Sequence, residues 1–217
     1  MMRPSPDLRC YLVTGSGTRE HILEVVREAV AGGCGTVQVR SKPIDALDLY
    51  ELTADIAREV GDRATVLVDD RVDVALALMR QGLPVHGVHV GQTDLPVEQV
   101  RELLGPAAII GLTTGTRELV AASNALGDVI DYIGAGPYRP TPTKDSGRPP
   151  LGLDGYREIT ELSQVPVVAI GDVTADDAAD LAATGVAGLA VVRGLMNADD
   201  PRAYAARLVE GFEEGRK

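Results

Sequence analysis

At 217 residues the chain has enough material for one large domain with a full core. Its 45% hydrophobic and 24% charged content is that of an ordinary globular protein. Aromatic residues make up only 3%, with no Trp, and the formal net charge is -11. Together these exclude an aromatic stacking platform for single strands and a basic surface for a nucleic-acid backbone. A small phosphate in a local basic pocket remains compatible with the charge.

The opening MMRPSPDLRC has neither an apolar centre nor a cleavage pattern, and no apolar run reaches transmembrane length. A cytoplasmic protein without membrane partners is expected. Cys10 and Cys34 form no CxxC pair and sit among apolar residues, so they read as buried free thiols in a reducing compartment.

Short Val/Ile/Leu-rich runs alternate with longer amphipathic segments along the whole chain. Strands are expected at Tyr11–Thr14, Thr36–Val39, Val66–Val68, Gly87–Val90, Ile109–Leu112, Tyr132–Ala135, Val167–Ile170 and Gly188–Val192. Helices are expected at Glu20–Ala31, Ile44–Val60, Arg71–Arg80, Val97–Leu104, Glu118–Ala125, Gly155–Leu162, Ala175–Ala183 and Pro201–Phe212. Pro201, after Asp199-Asp200, suits a first helical turn. Eight strand–helix units with no internal linker predict a single (β/α)8 TIM barrel over residues 1–217, with an open doubly wound sheet as the alternative. A dinucleotide site is not supported, because Gly15-Ser16-Gly17 is followed by Glu20 where a third Gly would fall.

Active sites of such barrels lie at the C-terminal ends of the strands, and polar residues collect there. In VQVRSK, Gln38, Arg40 and Lys42 share one parity and Val37 and Val39 the other, so the valines face helices and the polar residues the mouth. A guanidinium fork beside an ammonium suits a diphosphate; a solvated strand end is the plainer reading. Asp70 follows Asp69 at the end of strand three, and Asp94 follows strand four. Each could merely cap a helix, yet carboxylates on adjacent strand ends can share Mg2+, completed by substrate phosphate. His89, mid-strand, reads as a satisfied core residue. Thr113 and Thr114 offer hydroxyls, with Thr116 as the cap of the next helix.

After strands seven and eight, Gly171 and Gly194 permit close backbone approach to a phosphate. Asp172 would repel one unless Arg193 offsets it, and the parity of Arg193 against Val192 points it outward. The long segment after strand six, DYIGAGPYRPTPTKDSGRPPLG from Asp131 to Gly152, reads as a lid over a phosphate-bearing substrate. Nothing resembles a Ser-His-Asp arrangement or a zinc spacing.

The chain resembles the thiamine-phosphate synthase family, through VQVRSK, VDDRVD, GVHVGQTD and DYIGAGPYRPTPTK in order on successive strands. The resemblance implies transfer of hydroxymethylpyrimidine from its diphosphate to the ring nitrogen of hydroxyethylthiazole phosphate. It implies small phosphorylated substrates and leaves a homo-oligomer open. By the family pattern Gln38, Arg40, Lys42 and Lys144 bind diphosphate, with Asp69 where the family has Asn. Asp70 and Asp94 hold Mg2+, and Thr113 stands near the pyrimidine in place of a Ser. Thr141, Thr143 and the backbone of Gly171, Val192 and Arg193 contact the thiazole phosphate. Arg40, Thr113 and Lys144 would be the catalytic set. The chain departs from the pattern at Asp69, at Asp172 in place of a Gly, and at Thr113-Thr114-Gly115, which lacks a following His. A related thiazole isomerase or a catalytically silent phosphate-binding barrel are the alternatives.

Overall fold

A computed structural model describes residues 5–141 and 147–217. The strands are β1 (Cys10–Val13), β2 (Thr36–Val39), β3 (Thr65–Asp69), β4 (Gly87–Val90), β5 (Ile109–Thr114), β6 (Tyr132–Ala135), β7 (Val167–Ala169) and β8 (Gly188–Val191). They pair in parallel in chain order, and β1 joins β8 to close the barrel. That closure rules out the open-sheet alternative.

The outer ring begins with α1 (Arg19–Ala31), α2 (Ala46–Val60), α3 (Val72–Arg80), α4 (Val97–Leu104) and α5 (Arg117–Ser123). It continues with α6 (Gly152–Leu162), α7 (Ala178–Ala182), α8 (Arg193–Met196) and α9 (Pro201–Gly215). Local chemistry sets several starts. The Thr18 and Thr116 hydroxyls accept from His21 N and Leu119 N, and Asp200 accepts from Ala203 N ahead of Pro201. Where one helix was expected over Ala175–Ala183, the first turn is 3-10, locked by a reciprocal Thr174–Asp177 capping box. The four-residue α8 was not anticipated, being too short to carry a helical period.

Side-chain parity divides the core. Val37, Val39, Val66, Val68, Val88 and Val90 point outward into the layer packed by the helices. Tyr11, Val13, Leu67, Ile109, Tyr132, Val168 and Ala190 fill the interior. Full burial of one valine contributes about 1.5–3 kcal/mol, so a one-residue slip of any strand would forfeit several such terms. The interior tyrosines need room: a Cβ on Gly111 would come within 2.1 Å of the Tyr132 ring and 2.5 Å of His89 Nδ1. Glycine inside β5 is therefore a packing requirement.

One ion pair ties the outer ring to the strand starts. Arg101 of α4 reaches Asp131 at 2.9 Å and donates to the carbonyls of Val129, Gly105 and Ala108. Asp131 in turn accepts from the amide of Ile110 at 2.8 Å. Both side chains are largely buried, 14% and 11% exposed, so removing one strands the other's charge and several acceptors. Arg101→Ala is expected to lower stability by about 3 kcal/mol, read as a reduced urea midpoint with unchanged slope.

Candidate active site

The mouth of the barrel holds a cavity of ≈ 510 Å3. Gln38, Arg40, Asp69, Thr113, Thr141, Gly171, Val192 and Arg193, all expected at the site, line it. Lys42 stands at its rim, beside the Asp69 and Asp70 carboxylates. Thr143 and Lys144 lie outside the described residues.

The β2 side carries the cations. Gln38 is buried among the inward-facing residues, as parity required, while Arg40 and Lys42 follow the end of the strand. Lys42 Nζ lies 3.1 Å from Asp69 Oδ2 and also pairs with Asp70; Arg40 Nε is 3.7 Å from Asp69 Oδ2. That oxygen is fully buried and paired by charge, without an aligned hydrogen bond. Burial, with the adjacent Asp70 charge, pushes the Asp69 carboxyl up to about 6. Burial also works against the Asp70 charge, but the Lys42 ammonium outweighs it and holds Asp70 below the usual carboxylate range.

Asp70 and Asp94 are in contact, and burial with Asp70's charge raises Asp94 despite its bond from the Gly91 amide at 2.7 Å. Neither is a helix cap. The caps of α3 and α4 are Arg71 and Pro96, neither with a side-chain cap bond. Asp70 instead has φ 57, a left-handed conformation uncommon for a side-chain-bearing residue. Among the described residues no group of three or more His, Cys, Asp or Glu forms a self-sufficient metal cluster. Two carboxylates in contact fit a magnesium ion that takes its other ligands from substrate and water.

The opposite wall comes from the last two strands. Arg193 does not point outward. The chain leaves β8 at Val191 and turns into α8, so strand parity no longer applies, and Arg193 lines the cavity and pairs with Asp172. That pair offsets the charge Asp172 brings. Asp172 has φ 60, following Gly171 at φ +101. A Cβ on Gly171 would meet the Cα of Pro137 at 2.6 Å. Two ladder bonds, Tyr138 N to Ile170 O at 2.8 Å and Arg139 N to Gly171 O at 3.1 Å, bring the β6 segment against this turn. Arg139 adds bonds to Asp172 O and Asp177. The segment's far end returns through Leu151 N to Pro137 O at 2.8 Å.

Among the lining residues not anticipated as site residues are Tyr11, His89, Tyr132 and Arg148. His89 does have the hydrogen bonds of a satisfied core residue, to Tyr132 Oη and Thr113 Oγ1 at 2.9 Å each. It also forms part of the cavity wall, so reading it as core alone was incomplete. In GVHVG the outward valines flank it, and the parity applied to β2 would have placed it inside. Arg148 donates to Thr114 O from the end of the β6 segment, where no period exists to orient it.

The family model for thiamine monophosphate synthase matches residues 10–195. The chain belongs to this family. The thiamine-phosphate synthase of Corynebacterium efficiens is 72% identical over 216 residues, covering 100% of both chains. That of Corynebacterium jeikeium is 61% identical over 219 residues, again covering 100% of both. Among solved structures, thiamine phosphate pyrophosphorylase from Pyrococcus furiosus superposes with TM-score 0.82 at 34% identity, covering 98% of each chain. Neither the isomerase nor the silent-barrel alternative finds support among these synthase relatives. No helix of the described residues is long and apolar enough to cross a membrane.

Within this barrel, Gly171→Ala combines a left-handed backbone with a backbone clash. It is expected to cost about 2 kcal/mol or more, read as a lower thermal midpoint.

Proposed function

We propose that the whole chain acts as one catalytic domain that transfers hydroxymethylpyrimidine from its diphosphate to the ring nitrogen of hydroxyethylthiazole phosphate. The observation that carries this reading is one cavity with cationic side chains on two walls. Arg40, with Lys42 at the rim, flanks β2; Arg193 and the Gly171 turn lie across from them. Two phosphorylated substrates would meet between these walls.

In the reaction the C–O bond to diphosphate breaks with its electron pair leaving on oxygen, and the thiazole nitrogen lone pair forms the new C–N bond. Thiamine phosphate and diphosphate result. Among the described residues Arg40 and Lys42 bind the departing diphosphate, whose arrival also supplies anions to replace Asp69 and Asp70 as their partners. Gln38, expected from the family pattern at the diphosphate, is buried in the floor and is assigned instead, with Thr113, to orienting the pyrimidine. Thr141, the Gly171 backbone and the Val192-Arg193 backbone receive the thiazole phosphate, with Thr143 and Lys144 completing the set. Asp70 and Asp94 would hold Mg2+, which supplies charge neutralisation for the leaving diphosphate. No protein nucleophile is needed; the residues position partners and balance charge. Buried free Cys10 and Cys34 support a cytoplasmic setting.

An assay with both substrates and Mg2+ tests the reading: thiamine phosphate should accumulate in step with diphosphate, and its absence at saturating substrates would sink it. Asp94→Ala should raise the Mg2+ concentration for half-maximal rate roughly tenfold or more, as loss of one of two carboxylates implies. Unchanged metal dependence would remove Asp94 from the metal site.

A further inference from the structure

Beneath the cavity floor, side chains from five strands form one unbroken hydrogen-bonded file. Gln38 Nε2 donates to Tyr11 Oη at 2.7 Å, and Tyr11 Oη meets Tyr132 Oη at 2.7 Å. Tyr132 Oη meets His89 Nδ1, and His89 Nε2 meets Thr113 Oγ1, at 2.9 Å each. The two tyrosines are 1% and 0% exposed. Burial raises both phenols, so each keeps its one proton.

With a neutral imidazole, one proton per hydroxyl allows such a file only two polarities. With the Gln38 amide donating, Tyr11 must give its proton to Tyr132, since a buried hydroxyl proton without an acceptor is costly. Tyr132 then donates to His89 Nδ1, and the imidazole proton sits on Nε2, directed at Thr113. Thr113 is left with its own proton to offer the cavity, and Gln38 with its carbonyl oxygen. Turning the Gln38 amide reverses every bond. Thr113 would then present lone pairs and Gln38 an NH2 group. The file therefore couples its two ends, both of which open on the cavity.

We infer that Tyr11, Tyr132 and His89 are positioning residues that carry the orientation of the Gln38 amide through to Thr113, making Gln38 an acceptor and Thr113 a donor toward the pyrimidine. An aminopyrimidine carries the complementary pair: an amino group that donates and ring nitrogens that accept. An oxo-pyrimidine, with a carbonyl and a ring N–H, matches the reversed polarity. The file is thus a selector of amino over oxo substrates. This inference rests on the transferase reading for its substrate, but the file's polarity is a property of the free protein.

Two measurements test it on the full chain. In 15N-histidine-labelled protein, His89 should show an unprotonated Nδ1 and a protonated Nε2, its signals assigned by their loss in His89→Gln. A proton on Nδ1 would overturn the inference. In Tyr132→Phe, the kcat/KM preference for the amino- over the oxo-pyrimidine diphosphate should fall roughly 10–100-fold, the scale of one or two oriented hydrogen bonds. A merely structural role would lower both rates together, and an unchanged preference would overturn the selector. Should Tyr132→Phe fail to fold, Tyr11→Phe breaks the same file one bond away and carries the same expectation. A wild-type protein that makes no thiamine phosphate would remove the transferase reading while the tautomer result stood on its own.

Discussion

Because Val13 lies beside Gln38, Gln38 beside Leu67, Asp69 beside His89 and His89 beside Gly111, the inward ring is fixed once β1 pairs with β8. Every polar group of the floor occupies an inward position, so the site inherits its geometry from the register. Moving one strand by a residue would exchange Gln38 for Val37 or Val39, and His89 for Val88 or Val90. Such a slip both buries the wrong surface and empties the cavity of its hydrogen-bonding groups. Stability and site geometry are in this sense one constraint.

That constraint explains the interior polarity. Four hydrogen-bonding side chains, Gln38, Tyr11, Tyr132 and His89, lie where a barrel could hold aliphatic layers. Burying each alone would cost more than it returns. Joined end to end they satisfy one another, and glycine at 111 leaves the volume that a tyrosine and an imidazole need. Glycine inside a strand, a local weakness, thereby allows the polar file to exist.

Most of the barrel was legible because parallel strands and their helices carry opposite periodicities, and three strands fall on the expected residues, among them Thr36–Val39. What stayed hidden has particular causes. The α8 turn spans four residues, too few for a period, and it reversed the direction assigned to Arg193. His89 was visible by parity but resembles a core histidine by composition. Tyr11 and Tyr132 read as ordinary strand aromatics until the closed barrel brings residues 121 positions apart within 2.7 Å. Arg148 has no pattern at all around it. Long-range pairing and irregular backbone are the parts that a one-dimensional pattern does not encode.

The acidic residues at the mouth set a further question of charge. Asp69, Asp70 and Asp172 stand among cations proposed to bind phosphates, an arrangement that weakens anion binding if each acid stays exposed to the ligand. In the unliganded protein each is instead paired with a cation, Asp69 and Asp70 sharing Lys42 and Asp172 taking Arg193. These pairs keep a protein of net charge -11 from presenting bare carboxylates at the mouth, and they hold long side chains near the positions where phosphate would need them. Exchange of a carboxylate partner for a phosphate oxygen costs little Coulomb energy, because one anion replaces another. The two acids at the end of β3 then lose their shared partner when diphosphate takes Lys42, and the divalent cation proposed beside Asp70 and Asp94 would offset that loss. Asp172 is instead paired with Arg193. Its release from Arg193 has to be met by solvent, through the third of its side chain that is exposed. Asp172 lines the open cavity, where water can do so.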